Sequence, residues 1–384
     1  MAGFDQGQSG APKRDYCRCM DARGSGATSP FTPQRLADYL GAVHARPVSD
    51  VRITPLGGGR QGDKGYGYGI PLRVDYEVGG APHRGVIETV RPGPFGHEHM
   101  ADRAQLMLWA HSAFGRLARH VASLDVGAVR AGGKLVPLGD AEEFFSLAEF
   151  VEGREYADDL IRIEQAGEAA PLDFARADAL CDYLAGIHGT RGSEAGLYVR
   201  RMRELVGHGE CIFGVADSYP PGPHVAAVQE IERRALAWRW KLKGRTERLC
   251  QVHGDFHPWN ILFRAGADFS VLDRSRGEWG EAADDVCCLT LNYLFFSLRR
   301  CGRLEGDLEN LFRRFWDRYL ERSGDAAILE VAAPFFAFRA LVMANPVWYP
   351  ALQPGLRGRI LDFALNVLDA PRFEPARVNA YCGA

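Results

Sequence analysis

Three oxygen-bearing side chains stand close together in one stretch of the chain. Asp255 and Asn260 lie within Val252-His253-Gly254-Asp255-Phe256-His257-Pro258-Trp259-Asn260, and Asp273 follows one short hairpin later. Phosphoryl transfer from a nucleotide needs such a set. One carboxylate must accept or orient the proton of the attacking hydroxyl, and two further oxygen ligands must hold Mg²⁺ against the phosphate oxygens. Asp255 suits the first task, Asn260 and Asp273 the other two. Ile261-Leu262-Phe263 predicts a short buried strand, Arg264-Ala265-Gly266-Ala267 a turn, and Phe269 to Leu272 a returning strand that ends at Asp273. A hairpin of that length brings its ends together, so Asn260 and Asp273 are expected to flank one ion. Asp273 is expected to be buried at the end of an apolar strand, where an unpaired carboxylate needs a cation.

The pattern His253-Gly254-Asp255-x-His257-x-x-Asn260 resembles the catalytic loop of the aminoglycoside phosphotransferase and choline kinase superfamily, whose fold is that of protein kinases. Leu272-Asp273, with Gly280-Glu281-Ala282-Ala283-Asp284-Asp285-Val286 after it, resembles the metal-binding aspartate of that family and its Gly-Asp-Pro-x-x-Asp-Leu stretch. Glu281 and Ala282 replace the usual Asp and Pro. The resemblance is specific over 248–290, looser over 50–190 and slight over 300–384. It implies that Asp285 braces the catalytic loop through backbone hydrogen bonds, and that His253 and His257 are scaffold histidines. Arg274 and Arg276 depart from the aromatic or acidic residues common there. They suit either an anionic substrate group or transferred phosphate, or pairing with Glu278, Glu281 or Asp284.

The elements that must position these residues are legible in outline. Residues 1–30 are Gly- and Ser-rich without periodicity and read as a disordered tail, in which Cys17 and Cys19 make too poor a metal site. A helix is expected from Thr32 to His44 and a strand over Val51–Leu56. Gly57, Gly59 and Gly62 then form Gly-x-Gly-x-x-Gly. A dinucleotide fold needs a helix directly afterwards. Here Leu72–Val78 alternates with period two, and after Gly79-Gly80 another strand is expected over Gly85–Arg91. Strand, glycine loop and two strands suit a sheet that covers nucleotide phosphates with backbone N–H groups. A flexible hairpin without ligand is the alternative. A helix is expected from Glu98 to Val121, with Leu106, Trp109, Ala110, Phe114, Leu117 and Val121 on its apolar face. Strands should follow near Asp125–Val129, Lys134–Leu138 and Phe144–Phe150. The resemblance places the adenine-binding hinge at Glu149–Gly153, with Phe150 and Val151 contributing backbone groups. The family's N-lobe lysine is missing from Val86–Arg91. Arg91, partnered by Glu98, or Lys64 in the glycine loop are the candidate replacements.

Beyond the hinge the pattern is helical, with periodic segments at 174–188, 223–243, 283–299, 307–322, 326–345 and 354–369. The acidic residues of 152–178 read either as a rim for a cationic acceptor or as a solvated helical face. Trp348, Tyr349 and Asn345 read either as a sugar-sized pocket or as a loop packed on the core. With 384 residues, 46% apolar, the chain is long enough for two lobes, and a net charge of −3 argues against nucleic acid as a partner. There is no apolar run of membrane-spanning length, and the nine scattered cysteines fit reduced thiols in a cytoplasm.

The expectation is therefore an α+β, bilobal protein-kinase-like fold: a tail over 1–30, an antiparallel-sheet N-lobe over 31–150 that binds nucleotide, and a mainly helical C-lobe over 151–384 with the catalytic and acceptor sites. The expected activity is ATP- and Mg²⁺-dependent transfer of a γ-phosphoryl group to a hydroxyl of a small molecule (amino sugar, sugar or amino alcohol) by a monomer or homodimer. The sequence does not separate ATP from GTP. A non-catalytic nucleotide-binding protein and a nucleotidyl transferase are the rival readings.

Overall fold

The structure is a computed structural model that describes residues 29–56, 69 and 71–383. The expected tail with Cys17 and Cys19, and the loop residues Gly57, Gly59, Gly62 and Lys64, lie outside the described residues. The chain divides into two compact units, Met1–Leu147 and Ala148–Ala384. The class is α+β.

In the first unit, α1 (Pro33–His44) starts where Thr32 caps the backbone N–H of Arg35 at 3.3 Å, with Pro33 supplying the preset first-turn φ. A three-stranded antiparallel sheet follows: β1 (Val48–Pro55), β2 (Leu72–Val78) and β3 (Ala81–Ile87) in that order. Val74, Tyr76 and Val78 alternate inward and meet Leu36 of α1, which makes a small core. The expected third strand, Gly85–Arg91, is set four residues too late. Gly79 and Gly80 both take positive φ (56° and 84°), so the hairpin is two residues long and β3 begins at Ala81 opposite Val78. Because β2 starts at Leu72, its partner Ile87 ends β3, and Arg91 lies beyond the strand.

The helix expected over 98–121 is α2 (Met100–Phe114). Asp102 accepts from the backbone N–H of His99, which fixes the start, and Gly115 ends it. Glu98 therefore precedes the helix, Leu117 and Val121 lie past it, and Trp109 is exposed. The hairpin β4 (Gly127–Val129) and β5 (Leu135–Pro137) forms as expected. No strand forms over 144–150. Among the described residues nothing pairs with that segment, and Phe145, Leu147 and Phe150 are exposed.

The second unit is mainly helical: β6 (Arg154–Glu155), α3 (Tyr156–Ala166), α4 (Pro171–His188), α5 (Ala195–Gly207), α6 (Ile212–Asp217) and α7 (Val225–Leu242). Then come β7 (Cys250–Gln251), β8 (Ile261–Phe263), β9 (Phe269–Val271) and β10 (Trp279–Gly280). The chain ends in α8 (Ala282–Cys301), α9 (Gly306–Ser323), α10 (Ile328–Val331), α11 (Ala333–Ala344), α12 (Pro354–Asp369) and α13 (Val378–Tyr381). From Ala282 to Leu298 every residue of α8 is buried, so this helix is the axis of the core and not an amphipathic cover. Its polar residues are tied to the backbone: Thr290 donates to Val286 O at 2.7 Å and Asn292 to Cys288 O at 2.8 Å. Among the described residues no helix is long and apolar enough to cross a membrane, and the seven described cysteines are free thiols.

Candidate active site

Two loops carry the candidate residues, and antiparallel ladders clamp them together at both ends. At one end β8 pairs with β9, Ile261 opposite Val271, and Leu272 N–H continues the ladder to Asn260 O at 2.8 Å. At the other, β7 pairs with β10, Gln251 opposite Trp279, and Val252 N–H reaches Glu278 O at 3.0 Å. Residues 252–260 and 272–278 are thus paired loops with fixed ends. Asn260 and Asp273 leave the same ladder, as the hairpin argument anticipated.

The Asn260 amide donates from Nδ2 to Asp255 O at 3.1 Å, which folds the loop back on itself and leaves Oδ1 without a hydrogen bond among the described residues. Asp273 sits in a left-handed turn (φ 53°) and is exposed, so the expected burial of this carboxylate is not observed: β9 stops at Val271 and the chain turns outward. No hydrogen bond or ion pair among the described residues engages its carboxylate. Nor is there among those residues a group of three or more His, Cys, Asp or Glu that could by itself hold a metal ion. A carboxylate and an amide oxygen on residues that leave one ladder suit Mg²⁺, which takes few protein oxygens and fills its shell from phosphate and water.

Gly254, with φ 88°, makes the sharp turn before Asp255, and a Cβ there would meet Arg201 Nη2 and Arg276 Cβ at 3.2 Å. The Asp285 carboxylate, wholly buried in the first turn of α8, accepts from His253 N–H and Gly254 N–H, both at 2.7 Å. This is the brace implied by the resemblance. His188 of α4 donates to Asp285 from Nε2 at 3.1 Å, and its Nδ1 is hydrogen-bonded to the Tyr319 hydroxyl at 2.8 Å. Burial works to raise the Asp285 carboxyl, but the His188 bond and the backbone N–H groups win and hold it below the ordinary carboxylate range. His253 and His257 do scaffold work: Nδ1 of the first accepts from Asp255 N–H at 3.3 Å, and Nδ1 of the second from Trp259 N–H at 3.2 Å.

Asp255 itself is mostly buried, its side chain 13% exposed. Oδ1 is bound by Arg339 of α11. Oδ2 faces Arg276 Nε at 3.7 Å and His257 Nε2 at 3.9 Å, both too long for hydrogen bonds. Burial alone would raise this carboxyl. Arg339, Arg276 and His257 outweigh it and hold the group below its usual range. Arg339 also donates to Gly254 O at 2.9 Å and to Asp284 Oδ1 at 3.0 Å, and Arg201 of α5 binds the other oxygen of Asp284. Behind them Arg248 bonds the fully buried Glu281 at 2.7 and 2.8 Å. The sequence reading found none of Arg339, Arg201 or His188. They come from helices remote in the chain, and no local pattern marks them.

Of the two readings of Arg274 and Arg276, the pairing with Glu278, Glu281 or Asp284 side chains does not occur among the described residues. Arg274 donates to the backbone carbonyls of Val252 and Glu278, and Arg276 lies over the Phe338 ring beside Asp255. In the acidic stretch after residue 152, Asp158, Asp159, Glu164, Asp173 and Asp178 pair with Arg154, Arg176, Arg299, Arg162 and Arg314, which makes a salt-bridged helical surface. Asn345 is buried on Val215 O and Ser218, Tyr349 packs edge-on against Phe295, and Trp348 is exposed. Arg91, Glu98, Phe150 and Val151 lie outside regular elements.

A model of the phosphotransferase enzyme family matches residues 103–323, more than half of the chain. No curated protein matches it. Among solved structures it is similar to a glucosamine kinase (crystal form B) at 21% identity, over 59% of this chain and 55% of that one, with a TM-score of 0.32. An amicoumacin kinase in complex with AMP-PNP, Ca²⁺ and Ami is 14% identical over 91% of this chain and 98% of that one, TM-score 0.39. A macrolide 2′-phosphotransferase from Brachybacterium faecium is 14% identical over 89% and 99%, TM-score 0.32. The chain spans just over half the length of the glucosamine kinases it matches.

Proposed function

The chain belongs to the phosphotransferase enzyme family, and from that premise we propose that it transfers the γ-phosphoryl group of ATP, held with Mg²⁺, to a hydroxyl of a small molecule: a sugar, amino sugar or amino alcohol. One observation carries the reading. The two ladder-clamped loops carry Asp255, Asn260 and Asp273 on paired segments, and each keeps at least one side-chain oxygen without a hydrogen bond among the described residues. Asp255 Oδ1 is spent on Arg339, so Oδ2 receives the acceptor hydroxyl. A carboxyl held low by neighbouring guanidinium groups is a weak base. Its work is to align the hydroxyl and take the proton as the phosphoryl moves across, which suits a reaction governed by positioning and charge neutralisation.

Asn260 Oδ1 and the Asp273 carboxylate would hold the metal, which when bound neutralises charge on the phosphate oxygens. Nucleotide contacts are assigned in this proposal to Gly57, Gly59, Gly62 and Lys64, and to Arg91, Glu98, Phe150 and Val151. The test is incubation with γ-labelled ATP and Mg²⁺ over a panel of hydroxylated metabolites, with Asp255→Asn as control. Label should enter an acceptor with the parent protein and fall by about 10²-fold or more in the control. Transfer that is unchanged in the control removes Asp255 from the mechanism.

A further inference from the structure

Asp255 does not stand alone in its loop. Its carboxylate begins a buried chain of alternating charge that runs Asp255–Arg339–Asp284–Arg201 through three helices, α11, α8 and α5. Arg339 and Arg201 are each 6% exposed and Asp284 2%, so water screens none of these contacts. The Arg339 fork grips three oxygens at once: Asp255 Oδ1, Gly254 O and Asp284 Oδ1. Two of them belong to the residues that set the loop's sharpest turn. The chain closes on the second loop, because Arg201 also donates to Arg276 O at 3.0 Å. Arg339 therefore fixes both the backbone entering Asp255 and the rotamer of its side chain.

We propose that Arg339 is a positioning residue for phosphoryl transfer. By occupying Oδ1 it presents Oδ2 of Asp255 to the acceptor hydroxyl, and Asp284, held in turn by Arg201, sets the position of Arg339. The inference rests on the phosphotransfer reading above. Geometry dictates what a substitution does. Lysine keeps the charge that Asp284 needs, yet a single ammonium cannot reproduce a planar fork spread over three oxygens. The loss should appear in the chemical step and not in binding, since Arg339 acts through Asp255 and has no role in holding nucleotide.

The experiment compares Arg339→Lys, Asp284→Asn and the double variant with the parent. Each is checked for folding by near-UV circular dichroism and for nucleotide binding by the ATP-induced rise in Tm. Arg339→Lys should keep that rise and hold the acceptor KM within about threefold, while kcat falls roughly 10- to 100-fold, the range for a displaced reacting group. Asp284→Asn, isosteric and one bond further out, should lower kcat less. The double variant should be little worse than Arg339→Lys, because Asp284 acts only through Arg339. A folded Arg339→Lys with kcat within about twofold of the parent overturns the inference. So does a loss carried equally by KM and the ATP-induced Tm rise, or strict additivity in the double variant. A parent that transfers no phosphoryl group to any acceptor removes the phosphotransfer reading and this one with it. An active parent matched by Arg339→Lys removes this one alone.

Discussion

Asp285→Asn is the sharpest test of how the catalytic loop is held. The carboxylate accepts two backbone N–H groups at 2.7 Å and one imidazole N–H at 3.1 Å, all without solvent. Asparagine is nearly isosteric but keeps one acceptor oxygen. One of the N–H groups of His253 and Gly254 must then face an NH₂ group, and a buried donor left without a partner costs about 1–3 kcal/mol. The bond that survives loses its charge assistance, about 1 kcal/mol more. The expected destabilisation is thus about 3 kcal/mol. Six of the seven tryptophans lie in Ala148–Ala384, so fluorescence during urea unfolding reports the unit that holds the brace. With a slope of about 2–3 kcal/mol/M, the midpoint should fall by about 1 M. The sign with pH is also fixed. The Asp285 carboxyl is held below its ordinary range, so its contribution is complete above the unfolded value near about 4 and is lost as pH falls through the folded value. The gap between parent and variant should narrow below about pH 4. A midpoint within about 0.2 M of the parent at neutral pH would refute the brace.

Other outcomes follow from the same contacts. Among the described residues Arg248→Met leaves the fully buried Glu281 with the Tyr198 hydroxyl alone, and should cost about 3–5 kcal/mol in urea unfolding; Arg248→Met with Glu281→Gln should recover part of it. Gly254→Ala forces a side chain into φ 88° against Arg201 and Arg276, so it should cost about 1–3 kcal/mol and lower kcat through the displaced Asp255. Trp348→Ala removes a ring that is 65% exposed and should leave Tm unchanged, with a stability change within about 0.5 kcal/mol.

What the sequence made legible was the part of the site that is contiguous. Asp255, Asn260 and Asp273 sit on one loop–hairpin–loop segment, and their residue types and spacing follow from the chemistry proposed for them. Asp285 was reached through family resemblance, and its two backbone bonds agree with it. A helix with a strong apolar stripe, such as α9, was read within a few residues, because periodicity reports which face is buried. The misses have a common cause. Where a strand ends depends on its partner: β3 stops at Ile87 because β2 starts at Leu72, and 144–150 finds no partner among the described residues. The burial expected for Asp273 failed likewise, since only the turn after β9 decides which way that side chain points. Arg339, Arg201 and His188 were invisible for a related reason. Each is a buried polar residue on a mostly apolar helix face, and its partner is fixed by packing across the core.

The most direct test is phosphorus NMR of a turnover mixture of the protein, ATP, Mg²⁺ and a reactive acceptor. ADP and a new phosphomonoester should grow in equal amounts, and both should all but vanish with Asp255→Asn. Release of inorganic phosphate alone, growth of a nucleotidylated acceptor, or an undiminished phosphomonoester signal from the variant would contradict the assignment of this site as a hydroxyl phosphotransferase centred on Asp255.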